Sequence, residues 1–412
     1  MDEQGYLATV ELEAIDSGTI RMFCQVESEL PHRIIFLRMR PGPGPGLVVG
    51  TFEEIVGREP DGERLSRLDD ELTGWLDDEL ERARQHQPFV GFGAAITRGD
   101  EVVYLRTLGY RDVAANARTT HDTVFSIGSV SKVLTGIGVT RLVQSGRIGL
   151  DDEVNRHLRA FRVVAPTSAD PPVTVRHRLT HTGGAYSLGG EFAAPGEVAP
   201  TLPEYYGAEI ACRFPAGSQG LYSNDGFAVL GQVIEDVASE PLDAFMRREV
   251  FDPAGMDTTT YTKTPAVQQR LATAYEIVFG EVNELVQRDM VLKPAGSVYS
   301  SLHDMARLAQ VIGSNGRGER GQVLAADTLA SMMIEHGEAA GSAFARRGLA
   351  FGMALANGHK LVCHNGGFPG FYSALSVAPE IGIGVVLLTN TSSGAPAALA
   401  QSVHRHVLAR LA

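Results

Sequence analysis

The sequence predicts a mixed α/β protein in which helices flank an antiparallel sheet and a mainly helical subdomain is inserted between the two halves of that sheet. Three observations lead to this prediction. A helical pattern and then a hairpin pattern stand near the start of the 412-residue chain, and a second hairpin pattern and a closing helix stand at its end. The segment between them is mostly helical, so the two chain ends are expected to build one sheet around it.

The individual elements follow from two periodicities. Apolar residues three or four apart indicate amphipathic helices, and apolar runs on either side of short turns indicate hairpins. The predicted elements are, in chain order, a helix from Glu63 to Gln87, a hairpin of Phe89–Thr97 and Glu101–Leu108, helices at 129–145, 224–239, 242–250 and 302–313, a hairpin of Tyr372–Val377 and Ile383–Thr389, and a helix from Ala395 to Leu411.

The N-terminal region has a different composition. Residues 6–13 and 19–40 contain strand-like apolar and β-branched stretches, and a Pro-Gly run follows that cannot sustain a helix or a central strand. We predict a β segment and linker over residues 1–46. This segment is too small to bury a core by itself, so we expect it to pack on the main domain, to cover part of the site, or to join two copies in a homo-oligomer.

Residues 47–412 form the predicted main domain. It divides into a sheet subdomain over about residues 61–125 and 290–412 and a helical subdomain over about residues 126–289. This length and 44% hydrophobic residues are enough to bury a large core.

Composition excludes several classes of function. The net charge of −13 is spread without long runs of one sign, which disfavours nucleic acid and anionic membranes as partners. The chain has no signal-like start and no apolar stretch approaching the roughly 18 residues of a membrane span, so we expect a cytoplasmic protein. Three scattered cysteines and the pairs His177/His181 and His404/His406 lack the ligand sets of a metal site, so we predict no metal and no cofactor.

One lysine stands at an informative position. The chain has 32 arginines and only four lysines, and Lys132 follows Ser129 by three residues at the start of a predicted helix. Residues three apart project from one face of a helix, and a desolvated lysine can accept a proton whereas arginine cannot. Ser129 is a candidate nucleophile and Lys132 its base; alternatively, Ser129 only caps the helix and Lys132 is a solvated charge.

Two further motifs strengthen the nucleophile hypothesis. Tyr222 and Asn224 stand two apart, just before a predicted helix, where a phenol can exchange protons and a carboxamide can hold a carbonyl or the lysine. The alternative is a turn in which Asn224 caps the helix and Tyr222 packs. His364-Asn365-Gly366-Gly367 follows Leu361–Cys363, a predicted edge strand, and its glycines let a substrate lie against the backbone. The alternative there is a glycine turn with an incidental histidine.

Together the motifs S-x-x-K, Y-x-N and H-x-G, in this order, resemble the serine β-lactamase and penicillin-binding-protein superfamily. The resemblance is to its class C β-lactamase-like group, which includes esterases, D-aminopeptidases, DD-peptidases and acyltransferases, and it covers about residues 65 to 410. It implies the β-lactamase/transpeptidase fold. The third motif departs from the K-T-G of the lactamases and is more like that of DD-peptidases and esterases, so we do not expect efficient β-lactam hydrolysis.

The resemblance also implies a role for each motif residue. Ser129 is the nucleophile, Lys132 its base and Tyr222 a second proton-transfer residue, while Asn224 positions the carbonyl and the lysine. The substrate-binding strand is His364, Asn365, Gly366 and Gly367, in which the N–H of Gly367 completes an oxyanion hole with that of Ser129 and His364 holds a substrate carboxylate or assists proton transfer.

Our first hypothesis is a serine hydrolase that forms an acyl-enzyme on Ser129 with a small-molecule ester or amide. The second is an acyltransferase, which uses the same residues to pass the acyl group to an amine or alcohol. A D-amino-acid peptidase or β-lactamase ranks lower, as does a binding protein that has kept the fold and lost catalysis. Product analysis and covalent labelling of Ser129 separate these alternatives.

Overall fold

The computed structural model describes residues 61–411, apart from residues 87–88, 186–191, 279–280, 338–345 and 393–394, together with four strands that precede them. The strands are β1 (Ala8–Ala14), β2 (Ile20–Val26), β3 (Leu37–Met39), β4 (Leu47–Val49), β5 (Asp61–Ser66), β6 (Gly91–Arg98), β7 (Glu101–Asp112), β8 (Ala117–Arg118), β9 (Val124–Ser126), β10 (Arg162–Val164), β11 (Glu209–Ala211), β12 (Ala274–Val278), β13 (Glu281–Leu285), β14 (Tyr299–Ser301), β15 (Arg346–Arg347), β16 (Gly352–Ala356), β17 (His359–Phe368), β18 (Phe371–Ala378) and β19 (Ile383–Thr389).

The helices alternate with these strands. They are α1 (Asp70–His86), α2 (Ser131–Gln144), α3 (Val175–Leu179), α4 (Leu202–Tyr206), α5 (Asn224–Ala238), α6 (Leu242–Met246), α7 (Asp252–Ala254), α8 (Pro265–Arg270), α9 (Lys293–Gly296), α10 (Leu302–Gly313), α11 (Ala326–Met332) and α12 (Ala395–Leu411). Short 3₁₀ turns cover Gly128–Val130 and Val154–Arg156, and one π turn, Arg247–Phe251, joins α6 to α7.

The main sheet confirms the predicted fold class. Its strands lie in the order β15-β16-β17-β18-β19-β6-β7-β5, all neighbours are antiparallel, and β8 pairs with β7. The two chain ends meet where β19 pairs with β6, from Ile383 opposite Arg98 to Thr389 opposite Phe92. The segment between the two ends contributes the described helices α2 to α11, as the separated hairpins predicted.

The sheet has an apolar layer on each face. On β6, Phe92, Ala94 and Ile96 belong to a core that includes the buried faces of α1 and α12, whereas Ala95 belongs to the larger core built with the helices of the middle segment. This alternation follows from the two-residue period of a strand. α10 contacts β6, β18 and β19, which connects the sheet to the helical part of the chain.

The N-terminal strands pair among themselves. β1 and β2 form an antiparallel hairpin from Ala8 opposite Val26 to Ala14 opposite Ile20, and β3 pairs with β4. The Pro-Gly run at residues 41–46 lies outside the described residues. The domain boundaries and the role of residues 1–46 stay predictions.

Two predictions about the main sheet and the helix next to it are wrong in detail. Residues 63–66 belong to β5, not to the following helix, because Arg64 and Leu65 pair with Arg106 and Leu105 of β7. This pairing outweighs the helical spacing of Leu65, whose side chain is 39% exposed. Leu361–Cys363 is not an edge strand, because β16 and β18 pair with β17 on its two sides there.

His404 on α12 gives a prediction about stability. The side chain is fully buried, and neither ring nitrogen makes a well-aligned hydrogen bond within the described residues, although the Ile383 backbone lies nearby. Burial lowers the pKa of His404 to about 4. In the unfolded chain His404 therefore binds a proton below about pH 6.5, whereas in the folded chain it binds one only below about pH 4. The free energy of unfolding falls as pH falls from about 6.5 to about 4.

We expect His404→Leu to flatten this pH dependence. Between pH 7 and pH 4, the free energy of unfolding of the wild type should fall more than that of the variant, by up to about 3 kcal/mol, since one pKa unit corresponds to about 1.4 kcal/mol. Urea unfolding at pH 7, 5.5 and 4 measures the difference. Parallel pH profiles for the two proteins would refute the role given to His404.

Candidate active site

Ser129 lies in a 3₁₀ turn, Gly128–Val130, which leads directly into α2 at Ser131. The α-helix thus begins two residues later than the sequence predicted. The turn follows β9, which pairs with β14, and the Ile127 N–H between them donates to the Val298 carbonyl. Ser129 is half-buried, whereas Gly128 and Val130, its neighbours in the turn, are buried.

Lys132 is brought beside the serine as the S-x-x-K spacing predicted. Its Nζ lies 3.1 Å from Ser129 Oγ, and it donates to the Ala295 carbonyl at 2.6 Å. The side chain has no exposed surface. Lys132 is therefore not a solvated charge. The contact with Ala295 fixes the amine so that it meets the hydroxyl at hydrogen-bond distance.

Tyr222 lies against the same amine. Lys132 Nζ is 4.7 Å from the centroid of the Tyr222 ring, which is half-buried. Asn224, two residues further on, is the first residue of α5. The cap of that helix is Ser223, whose hydroxyl accepts from the Gly226 N–H at 3.0 Å, and so Asn224 is not the cap. Tyr222 thus joins the Ser129–Lys132 pair, and Asn224 stands next to it on the chain.

His181 completes the support of the tyrosine and was not predicted as a site residue. Its ring stacks on that of Tyr222 at a centroid distance of 4.6 Å. Nδ1 accepts from the Ser223 N–H at 3.0 Å, which leaves the proton of the neutral ring on Nε2. Burial, followed by the nearby cations Arg347 and Lys132, holds the pKa of His181 well below its ordinary value. His181 is therefore an uncharged ring that packs against the Tyr222 ring and supports its position.

The third motif, His364 to Gly367, lies on the part of β17 that no longer pairs with β16. In the described part of the chain, the pairing of β17 with β16 ends at Cys363, opposite Gly352, whereas the pairing with β18 continues to Phe368. From His364 onward, one edge of the strand is therefore not paired with β16 and faces the serine turn. The free edge supplies backbone groups that an extended substrate can use.

Glycine is required where this strand meets the serine turn. A Cβ on Gly366 would lie 2.0 Å from the Ile127 carbonyl oxygen, and a Cβ on Gly128, at φ +49°, would lie 2.8 Å from the Gly367 nitrogen. The backbones of the two motifs are thus in direct contact. This contact brings the Gly367 N–H near the serine turn, as an oxyanion hole built from Gly367 and Ser129 requires.

His364 has a defined protonation state. Its Nδ1 lies 2.7 Å from the Asn365 carbonyl oxygen, so Nδ1–H donates there and Nε2 carries a lone pair. Burial lowers the pKa of His364 to about 3, with a further contribution from Lys132. At neutral pH the ring is uncharged. It can assist proton transfer, but it supplies no positive charge to a substrate carboxylate.

We expect Gly366→Ala to lower kcat by about 100-fold, because the added methyl group forces β17 away from the serine turn by a distance on the order of 1 Å. Hydrolysis of an activated acyl ester measures the effect. Gly74→Ala on α1 is a matched control, since a Cβ there meets no atom within 4 Å. Wild-type activity in Gly366→Ala would contradict the proposed contact between the two motifs.

His177, for which the sequence predicts no metal, serves in the cap of α3, where Nδ1 accepts from the Thr174 N–H. No group of three or more His, Cys, Asp or Glu side chains in the described part of the chain has an arrangement that could hold a metal ion. None of the helices described combines the length and apolar character needed to cross a membrane. Cys212 and Cys363 are buried free thiols.

The site thus brings together residues that are far apart in the sequence. Ser129, Lys132, Tyr222, His364 and the Gly366–Gly367 backbone converge, with Asn224 and Asn365 next to them on their elements. Sequence reasoning missed the Ala295 carbonyl, His181 and Arg347. Of these, only His181 had been singled out, as half of a rejected metal pair.

The fold and this site define a class of enzymes that use an activated serine, and comparison with known proteins agrees. The chain belongs to the beta-lactamase family, which matches it over residues 76–409. This is a family of serine hydrolases that includes esterases, carboxypeptidases and β-lactamases.

Two relatives illustrate the range of the family. Esterase EstB from Burkholderia gladioli is 31% identical over 220 residues, which are 50% of this chain and 55% of the esterase. Penicillin-binding protein 4 from Amycolatopsis lactamdurans is 29% identical over 314 residues, which are 71% of this chain and 78% of that protein. The match thus spans just over half the length of the esterase and more than two thirds of the penicillin-binding protein.

Solved structures share the fold. The octameric penicillin-binding protein homologue from Pyrococcus abyssi has a TM-score of 0.70 at 22% identity. The matched region is 82% of this chain and 77% of the homologue's chain. A beta-lactamase/D-alanine carboxypeptidase from Yersinia pestis, complexed with citrate, has a TM-score of 0.69 at 21% identity. The matched region is 84% of this chain and 99% of the carboxypeptidase chain. These similarities confirm the β-lactamase/transpeptidase architecture.

Proposed function

We propose that the protein is an esterase-like serine hydrolase that forms an acyl-enzyme on Ser129 with a small ester or amide and releases the acyl group to water. The observation that supports this most is the 3.1 Å separation between Lys132 Nζ and Ser129 Oγ, with the amine fully buried. A buried amine that touches a serine hydroxyl is the arrangement that an activated nucleophile needs.

The contacts suggest a sequence of proton transfers. When the Lys132 amine has lost its own proton, it accepts the proton of Ser129 as Oγ attacks the acyl carbonyl, and the Ser129 and Gly367 N–H groups stabilise the oxyanion. The proton then passes through the Tyr222 hydroxyl, on the ring whose centroid lies 4.7 Å from Lys132 Nζ, to the leaving alcohol or amine. Water repeats these steps in reverse: it loses a proton to the same groups, and Ser129 regains one when the acid leaves.

The third motif supports an ester or small amide over a β-lactam. His364 stands where the lactamases of the resemblance carry a lysine, and its ring is neutral because burial lowers its pKa to about 3. The site therefore lacks a charge that those enzymes place on this strand. The esterase among the relatives fits the same assignment.

Product analysis tests the proposal. The enzyme is incubated with 4-nitrophenyl acetate and with amine and alcohol acceptors at equal concentration, and the acyl products are separated by mass. We expect free acetic acid to be the dominant product whatever acceptor is present. Dominant acylation of an acceptor would replace the hydrolase assignment by that of an acyltransferase, and no turnover of any activated ester would overturn both.

A further inference from the structure

Two buried serine hydroxyls beside the nucleophile belong to none of the three motif roles. Ser131 follows Ser129 by two residues, and Ser373 lies on β18. Neither side chain has exposed surface, so neither hydroxyl can touch a substrate. Each donates to a backbone carbonyl next to the nucleophile: Ser131 Oγ to that of Gly128 at 2.6 Å, and Ser373 Oγ to that of Ile127 at 2.7 Å.

These two carbonyls belong to the peptide groups on either side of Gly128. The glycine has φ +49°, in the left-handed region that residues with a side chain rarely adopt. A Cβ there would also lie 2.8 Å from the Gly367 nitrogen. Glycine is therefore required just before the nucleophile, but it restrains the backbone less than any other residue. The peptide groups that flank it must be held in place by other contacts.

Ser131 holds the peptide group that carries one of the oxyanion donors. The Gly128 carbonyl and the Ser129 N–H are parts of one planar trans peptide group, in which the N–H points away from the carbonyl oxygen. A hydrogen bond to that oxygen therefore fixes the direction of the N–H. The hydroxyl of Ser131 is itself fixed, because it accepts from the Val298 N–H at 3.0 Å.

Ser373 holds the peptide group that precedes Gly128. It lies opposite Gly366 in the β17–β18 register, and a Cβ on Gly366 would lie 2.4 Å from Ser373 Oγ and 2.0 Å from the Ile127 carbonyl oxygen. The hydroxyl thus reaches the carbonyl through the space that the missing side chain leaves. This contact links β18 to the serine turn and sets the distance between that turn and the Gly367 N–H on β17.

We propose that Ser131 and Ser373 are positioning residues that set the direction of the Ser129 N–H and its distance from the Gly367 N–H in the oxyanion hole. This inference rests on the proposed function, since it concerns the oxyanion of the same reaction. The two hydroxyls touch no reacting atom. Their effect should therefore appear in stabilisation of the transition state and not in binding of the ester.

The variants Ser131→Ala and Ser373→Ala test the proposal. For each we expect kcat with 4-nitrophenyl acetate to fall by about 10-fold and KM to stay within about twofold of the wild-type value. Loss of a whole oxyanion donor costs about 10²- to 10³-fold. The smaller effect is expected because the Gly128 carbonyl still accepts from the Ser131 N–H, and the Ile127 carbonyl from the Val130 N–H.

Replacement of the substrate carbonyl oxygen by sulfur distinguishes positioning from a merely structural role. N–H donors fixed for an oxyanion suit the larger sulfur of a thionoester poorly. The measured quantity is the ratio of kcat/KM for 4-nitrophenyl acetate to kcat/KM for its thionoester, divided by the same ratio for hydroxide. We expect a ratio of at least about 30 in the wild type and a decrease of about 10-fold in each alanine variant.

Two matched controls remove buried hydroxyls from the same elements. Thr140 on α2 donates to the Gly136 carbonyl at 2.8 Å, and Ser376 lies on β18 three residues after Ser373. Thr140→Val and Ser376→Ala should retain the wild-type kcat and ratio, and thermal melting gives the folded fraction of every variant. Alanine variants with the kcat of these controls, or with a lower kcat and an unchanged ratio, would overturn the proposal.

Phenylboronic acid separates this inference from the proposed function. Its boron adds to Ser129 Oγ and places an oxygen in the oxyanion hole without turnover. Calorimetric titration should show binding to the wild type and both controls, and about 10-fold weaker binding to Ser131→Ala and Ser373→Ala. If no ester is turned over but boronate binding depends on these serines, the hydrolase proposal fails and the positioning role stands.

The converse result is equally defined. If esters are turned over but neither the oxygen-to-sulfur ratio nor boronate binding changes in the alanine variants, only the positioning role fails. A wild type that neither turns over esters nor binds the boronate overturns both proposals.

Discussion

Ser129→Ala is expected to lower the rate of hydrolysis of 4-nitrophenyl acetate by at least about 10⁴-fold. Oγ of Ser129 is the atom that attacks the acyl carbonyl, and removal of a nucleophile leaves only the residual rate from binding and oxyanion stabilisation. The fold should be unaffected, because Ser129 is only half-buried and alanine is smaller than serine. Initial rates measured under saturating ester give the effect.

Ser126→Ala is the matched control for this variant. Ser126 lies three residues earlier on β9, and its hydroxyl is buried without a hydrogen-bond partner in the described residues. Its removal should leave the rate and the stability close to those of the wild type. A rate in Ser129→Ala within tenfold of the wild type would remove Ser129 from the reaction.

Lys132→Arg is expected to lower kcat by about 10³-fold or more although the charge is kept. Arginine cannot give up its proton in a protein, so it cannot accept the proton of Ser129. Its planar group is also too large for a fully buried position in which Nζ contacts both Ser129 Oγ and the Ala295 carbonyl. Steady-state kinetics with the same ester measures the loss.

Lys263→Arg provides the comparison. Lys263 donates to Asp289 at 3.1 Å, a contact that arginine can keep, and it lies outside the site, so activity should stay at the wild-type level. Thermal melting of both variants separates misfolding from loss of the base. Wild-type kcat in a folded Lys132→Arg protein would show that Lys132 is not the base.

The sequence predicted those parts of the site that depend on local spacing. Ser129 and Lys132 are three residues apart, and one helical turn suffices to bring the amine to the hydroxyl. The scarcity of lysine pointed to the same position, because arginine fills almost every other cationic place. The hairpins and the closing helix also depend on local patterns.

Features that depend on tertiary contacts could not be predicted in this way. Arg347 is one of 32 arginines, and only the folded chain shows that its guanidinium is buried beside Tyr222. The Ala295 carbonyl that fixes Lys132 carries no signal in its side chain. Residues 63–66 have helical spacing, yet they pair with β7 because that edge of the sheet is open to them.

The central claim is that Ser129 carries the acyl group, and acid-quenched intact-mass measurement tests it most directly. The protein is mixed with an activated acyl ester, quenched within the first turnover, and then digested to locate the adduct. The account predicts a mass increase of one acyl group on the peptide that contains Ser129, and no increase in Ser129→Ala. No adduct in the wild type under turnover conditions, or an adduct on another residue, would contradict it.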